Sequence, residues 1–195
     1  MSHRESLQPL SLGPSVVQLL IAQRPPFLFV DRLLGISLVP KPVLQAARFI
    51  TANEPVLAGH FPEVAVWPGA LTLEGLSQTA ACLGTLQRLA DEFGLEATLA
   101  ALSNVERGVR LEMGHDPEAA AEWRARFEAA RRRVVVLGGG AQVRLLKPVF
   151  PGCRLDYLVR IHRRIGDGTH FRLEAEVEGQ LVAEGTLTGV RVEGA

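Results

Sequence analysis

The stretch "ALTLEGLSQTAACLGTL", residues 70–86, carries a single charge, Glu74. A helix that is apolar on every side is a buried helix, so the rest of the chain must wrap around it. Pro68, just before the stretch, suits a helix start. Two β-rich runs precede it, "FLFVDRLLGISL" and "VLQAARFIT". Four follow near the C-terminus: "VVVLGGGAQVRLLKPV", "RLDYLVRIHRRI", "THFRLEAEVEG" and "LVAEGTLTGVRV". Gly, Pro and Asp turns bound them. Within the third of these four, Phe171, Leu173, Ala175 and Val177 alternate with Arg172, Glu174, Glu176 and Glu178. That alternation marks an antiparallel strand with one wet face, and "EGQ" after it makes a tight hairpin. "PSVVQLLIAQRPPF" is a short helix stopped by Pro25 and Pro26. The expected class is α+β, one antiparallel sheet wrapped on a central helix. A chain of 195 residues can build one domain with a real core, so a single domain over 1–195 is expected.

Residues 87–133 differ in character. They are rich in Ala, Glu and Arg, with apolar residues at helical spacing. Asp116 and Pro117 make a good N-cap and first-turn pair. Two amphipathic helices joined near "GHD" are expected here, as an insertion at about 87–133.

Charge and cysteine usage exclude several classes. Lys plus Arg equals Asp plus Glu, which gives no global reason to expect nucleic-acid binding. Locally, residues 122–164 hold eleven Arg or Lys and three Asp or Glu. That stretch is either a solvated basic surface or a patch that attracts an acidic partner. Cys82 and Cys153 belong to no CxxC pair or ligand cluster, so neither a disulfide framework nor a zinc site is expected. The N-terminal segment lacks the apolar core of a signal peptide. No apolar run reaches membrane-spanning length. A cytoplasmic protein that uses no metal is the expectation.

Three features of "EPVLAGHFPEVAVWPGALTLEGLSQ", residues 54–78, carry chemistry. A carboxylate buried without a partner is costly when ionised, whereas a protonated carboxylic acid in an apolar cleft is a ready general acid. Glu74 fits that role. His60 sits on a loop that leads to the helix, and an imidazole is the usual general base near neutral pH. The helix start at Pro68-Gly69 offers free N–H groups and a positive dipole end. Gly69 lets a carbonyl oxygen approach the backbone closely. Taken one at a time these residues have plainer readings: Glu74 solvated on an exposed edge, His60 bonded to a turn carbonyl. Together they suggest proton abstraction next to a carbonyl, with loss or gain of a group at the neighbouring carbon. Other motifs fall short. "LGGGAQ" fails GxGxxG because Val143 stands at the third Gly position. His115, His162 and His170 lack metal-ligand spacing.

With these residues in view, "NEPVLAGHFPEVAVWPGALTLEGLSQ" resembles the active-site segment of the hotdog-fold 3-hydroxyacyl-[acyl-carrier-protein] dehydratases of fatty-acid synthesis. The shared pattern is Gly59-His60-Phe61-Pro62, Pro68-Gly69, Glu74 and Gln78. "RPPFLFVDRLLG" and "VRLLKPVFPG" resemble two of the family's strands. The resemblance covers roughly 15–86 and 137–192. It implies a hotdog fold, the sheet wrapped around the long helix, and a homodimer or a multiple of dimers paired edge to edge. It implies His60 of one chain and Glu74 of the other as the catalytic pair. Phe61, Trp67, Pro68, Gly69 and Gln78 then bind substrate, with the Gly69 amide on the thioester oxygen. The implied reaction turns a 3-hydroxyacyl thioester of acyl carrier protein, or of coenzyme A, into a trans-2-enoyl thioester and water. It needs no cofactor, and implies neither nucleic acid nor membrane as partner.

The chain departs from the family pattern in places. Gln23-Arg24-Pro25-Pro26 stands where His-Arg-Tyr-Pro is usual. Trp67 replaces Met and Cys153 replaces Asp, and the helical insertion is extra. Two rival readings use the same fold: an acyl-thioester hydrolase, and a non-catalytic acyl-binding or scaffolding subunit.

Overall fold

The computed structural model describes residues 7–132 and 134–193. In chain order the elements are β1 (Gln8–Leu12), α1 (Pro14–Leu20), β2 (Arg32–Ser37), β3 (Val43–Ile50), a 3-10 turn (Pro55–Ala58), α2 (Gly69–Phe93), α3 (Leu95–Val109), α4 (Pro117–Arg132), β4 (Val134–Leu145), β5 (Cys153–Ile165), β6 (Gly168–Val177) and β7 (Gln180–Glu193). The strands form one antiparallel sheet in the order β1-β2-β3-β5-β6-β7-β4. This is the expected α+β architecture, with α2 as the wrapped helix.

The period-2 pattern of β6 works as expected. Phe171, Leu173 and Ala175 are buried, while Arg172 between them is exposed. The β6–β7 hairpin turns on Glu178 and Gly179, both at positive φ (51° and 78°). A two-residue hairpin turn with right-handed strand twist needs that backbone conformation. Strand β1 is an addition to the expected list. At five residues and containing Pro9, it has little strand signal of its own. It forms the outer edge beside β2, the place where a sheet tolerates proline.

Helix α2 is buried or half-buried from Gly69 to Ala90 save for Ala70, and Leu76, Leu83, Leu86 and Leu89 are fully enclosed. It continues seven residues past the expected end at residue 86. Arg88, Asp91 and Glu92 end the all-round apolar pattern, but Leu89 and Phe93 continue one apolar face. The stop comes at Gly94, whose φ of 85° suits glycine. The inserted pair therefore begins at Leu95 and not at 87.

Both inserted helices share the core. Leu102 and Val105 of α3 and Phe127 of α4 are buried in the same hydrophobic cluster as α2. Trp123 stands edge-on to Phe93 with ring centroids 5.3 Å apart, and the Arg126 guanidinium lies 4.9 Å over the Trp123 ring. A buried carboxylate ties α3 to the N-terminal segment. Glu106 Oε2 accepts the Gly13 N–H at 2.9 Å and Oε1 accepts Arg110 Nε–H at 2.7 Å. Losing a charged acceptor strands the buried Gly13 N–H. Glu106→Ala is therefore expected to destabilise the fold by about 1–3 kcal/mol, read from the denaturant midpoint. A midpoint within error of wild type would refute the tie. Among the described residues no helix is long and apolar enough to cross a membrane.

Candidate active site

The loop from the 3-10 turn to α2 is closed by its own backbone. Val66 N–H donates to His60 O at 3.2 Å, and Phe61 and Val64 exchange bonds of 3.2 and 3.1 Å. Trp67 N–H donates to Val149 O at 2.8 Å, which pins the loop to the segment after β4. His60 Nδ1 lies 2.9 Å from Val66 O. A carbonyl oxygen only accepts, so Nδ1 carries the hydrogen, and in the neutral ring the lone pair is on Nε2. The Phe61 ring stacks on the imidazole, centroids 4.3 Å apart, with its outer face exposed.

Behind the loop sits an ion-pair cluster absent from the expected residues. Arg48 pairs with Asp31 at 2.7 Å and Glu54 at 2.6 Å. Asp31 Oδ2 also accepts the Phe49 N–H at 2.7 Å. The Arg48 guanidinium lies 5.9 Å from both the Phe29 and Trp67 rings. Trp67 is buried and meets Phe29 edge-on at 6.1 Å. The alternation of β3 hints that Arg48 faces away from solvent, but it does not show that Asp31, 17 positions back, and Glu54, six positions on, converge on it.

Pro68 precedes α2 in an extended conformation, and Gly69 opens the helix. First-turn N–H groups have no intrahelical acceptor. A Cβ on Gly69 would run into Leu145, which covers this turn from the end of β4. The two together line a cavity of about 340 Å³ with His60, Trp67, Thr72 and Val182.

Glu74 is half-buried on α2. One turn on, Gln78 is 1% exposed and its amide is fully committed. Its Oε1 accepts Phe29 N–H at 2.8 Å, and its Nε2 donates to Phe27 O at 3.0 Å and to Glu74 Oε1 at 2.8 Å. The side chain thus clamps the 27–29 segment to α2 and aims the carboxylate. Glu74 and Gln78 line a second cavity, about 460 Å³, whose walls include Gly84, Ile161 and Phe171. His60 lines the first cavity and not the second, and Glu74 the reverse. Beneath Glu74, Gly75 accommodates Tyr157, whose hydroxyl occupies the space a Cβ would take. Burial holds that phenol well above the ordinary tyrosine range.

Of the basic residues noted in the sequence, Arg144 pairs with Glu184, Lys147 bonds Gln180 at 2.9 Å and Arg164 bonds Gln87. Arg131 lies beside Arg24, and burial together with that neighbouring charge lowers the Arg24 pKa. Arg133 lies outside the described residues.

Comparison with known proteins fits this geometry. A family described as the FabA-like domain matches residues 21–111. The 3-hydroxyacyl-[acyl-carrier-protein] dehydratase FabZ of Polynucleobacter asymbioticus is 30% identical over 188 residues, 96% of this chain and 98% of its own. The protein of the same name from Anaeromyxobacter sp. strain K is 34% identical over 168 residues, 86% of this chain and 83% of its own. Among solved structures, the dehydratase heterocomplex ApeI:P from Xenorhabdus doucetiae superposes with a TM-score of 0.58 at 14% identity, covering 95% of this chain and 93% of that one. At that identity the likeness speaks for the fold. With sequence relatives that match nearly end to end, the chain belongs to the FabZ family of 3-hydroxyacyl-[acyl-carrier-protein] dehydratases.

Proposed function

We propose that the protein dehydrates 3-hydroxyacyl thioesters of acyl carrier protein to trans-2-enoyl thioesters, as a cytoplasmic homodimer or multiple of dimers. The observation that carries the assembly is the separation of His60 and Glu74 into different cavities of one chain. General acid–base catalysis needs both groups within hydrogen-bond reach of one substrate, and a second copy supplies the missing member. The outer edge of β4, next to β7 at the end of the sheet, offers the pairing face, since an open edge is a liability that pairing removes.

In this reading His60 Nε2 takes the proton from carbon 2. The electron pair left there forms the carbon 2–carbon 3 double bond and the carbon 3–oxygen bond breaks. The protonated Glu74 carboxyl of the partner subunit delivers its proton to the departing hydroxyl, and water leaves. The Gly69 N–H at the start of α2 donates a hydrogen bond to the thioester oxygen as negative charge develops on it. Val66 O holds the imidazole in the tautomer that leaves Nε2 basic. Gln78 keeps Glu74 aimed. Trp67, Pro68 and Phe61 shape the cavity around the thioester.

The test is direct. The purified chain is incubated with 3-hydroxyacyl and trans-2-enoyl thioesters on acyl carrier protein and on coenzyme A. The expected result is reversible interconversion, faster on the carrier protein, with no thioester cleavage. Release of free thiol without enoyl product would replace this reading with the thioesterase one. Turnover by a species that light scattering finds monomeric would overturn the composite site.

A further inference from the structure

The loop that carries His60 is anchored at its two ends. Leu57 before it and Trp67 after it are buried, and no residue between them is. The bonds between His60 and Val66 and between Phe61 and Val64 fix the shape of the loop, but not its place in the molecule. Where the base stands depends on what holds the two ends. Arg48 touches both. Its Nη2–H donates to Glu54 Oε1 at 2.6 Å, and Glu54 immediately precedes the 3-10 turn at Pro55–Ala58. Its guanidinium lies 5.9 Å from the Trp67 ring, and Trp67 leads through Pro68 into Gly69 at the start of α2. The arginine is itself fixed from behind. Its Nη1–H donates to Asp31 Oδ1 at 2.7 Å, and Asp31 is bonded to β3 through the Phe49 N–H and through its own N–H to Ala47 O.

We infer that Arg48 is a positioning residue for the dehydration: through Glu54 and Trp67 it sets where His60 stands relative to the Gly69 amide. The inference rests on the dehydratase reading above. The three charged side chains are largely buried, with 15% of Arg48, 23% of Asp31 and 17% of Glu54 exposed. Stability alone is a poor reason for such a cluster, because desolvation offsets most of the attraction between buried charges. What charge adds here is direction. A planar guanidinium reaches two carboxylates at a fixed angle and also stacks on rings, which an ammonium does not. His60 and Gly69 of one chain line one cavity, so the base and the amide that receives the thioester oxygen act on the same substrate. Their spacing is critical, since a shift of about 1 Å costs on the order of 10²-fold in rate. Glu74 is held in another way, by Gln78, whose remaining bonds go to backbone groups of Phe27 and Phe29. Arg48 meets that segment at the Phe29 ring, 5.9 Å away, and makes none of the bonds of the clamp. It therefore governs the base and leaves the acid to Gln78.

The experiment uses the full-length protein and the 3-hydroxybutanoyl thioester of acyl carrier protein. Arg48→Lys keeps the charge and loses the fork, and Glu54→Gln keeps the shape and loses the charge. Each is expected to lower kcat about tenfold while KM stays within about twofold of wild type, the mark of a misplaced reacting group. The double variant should fall no further than Arg48→Lys alone, because both changes act on one contact. Wild-type kcat in both single variants, with wild type active, would overturn the positioning role and leave the dehydratase reading intact. Complementation separates positioning from support of the fold. Arg48→Lys is placed either in the chain that supplies His60, together with Glu74→Gln, or in the chain that supplies Glu74, together with His60→Ala. Each is mixed with the opposite single variant, and the mixture with Arg48 intact is the control. The loss should follow the chain that supplies His60. Equal losses in the two arrangements would make Arg48 a support of the fold and overturn the inference. Amide hydrogen exchange reads the anchor without turnover. In Glu54→Gln the Val66 and Trp67 amides should exchange several-fold faster, while those of Leu83 and Leu86 in α2 keep their wild-type rates. Unchanged exchange at Val66 and Trp67 would overturn the anchor whatever reaction the protein catalyses.

Discussion

His60→Ala and Glu74→Gln each lose about 10²–10⁴-fold in dehydration rate, the usual contribution of a positioned acid or base, and each stays folded. His60 stacks on Phe61 and bonds one carbonyl at the edge of its cavity, outside the hydrophobic core cluster, so truncation removes the base without opening the core. Glu74→Gln keeps the shape and the acceptor that Gln78 needs, but an amide cannot deliver the proton. The informative step is mixing. If each site takes His60 from one subunit and Glu74 from the other, a heterodimer of the two variants carries one intact site and one doubly deficient site. After subunit exchange, mixed protein should recover activity toward one quarter of wild type, because random exchange makes about half of the dimers mixed. Rates that stay at the single-variant level after exchange has been confirmed would place both residues in one chain's site. Full activity in either single variant would remove that residue from the chemistry.

The same substitution at two glycines of one helix should have opposite signs. Gly84→Ala fills open space and raises helix propensity, for a gain of about 0.5–1 kcal/mol. Gly75→Ala makes the same propensity gain but drives a methyl group into Tyr157. That ring is fully buried, so it has no solvent to yield into. Overpacking of this kind costs about 1–3 kcal/mol, and here it exceeds the propensity gain. In a domain of this size each kcal/mol moves the unfolding midpoint by about 2–4 °C. The expected thermal scans show Gly75→Ala below wild type and Gly84→Ala above it. Gly75→Ala should also lose activity, because the displaced backbone carries Glu74. A Gly75→Ala protein as stable as wild type would show that Tyr157 can move aside.

Periodicity is a local property, and what depends on it was legible in the chain. The stretch around Glu74 read as a buried helix, and the alternation of 171–177 as a half-wet strand. The spacing of His60, Pro68-Gly69, Glu74 and Gln78 suggested the chemistry because those residues sit on one loop and the helix it feeds. Packing between distant segments left no such trace. Helix α2 outlasts its uncharged stretch because Leu89 and Phe93 keep one face against the core after the other turns polar. Gln78 is bonded to Phe29, 49 positions away, and Glu106 to Gly13, 93 positions away. No pattern along the chain announces such pairs. In one line of sequence Gly69, Gly75 and Gly84 look alike. Only the fold sets Leu145 over the first, Tyr157 against the second and nothing beside the third. The sequence by itself determined which residues could act as base and acid. The tertiary structure decided that one chain keeps them in separate cavities, because the loop that carries His60 is pinned to Val149 beyond β4, whereas Glu74 faces a cavity walled by Ile161 and Phe171.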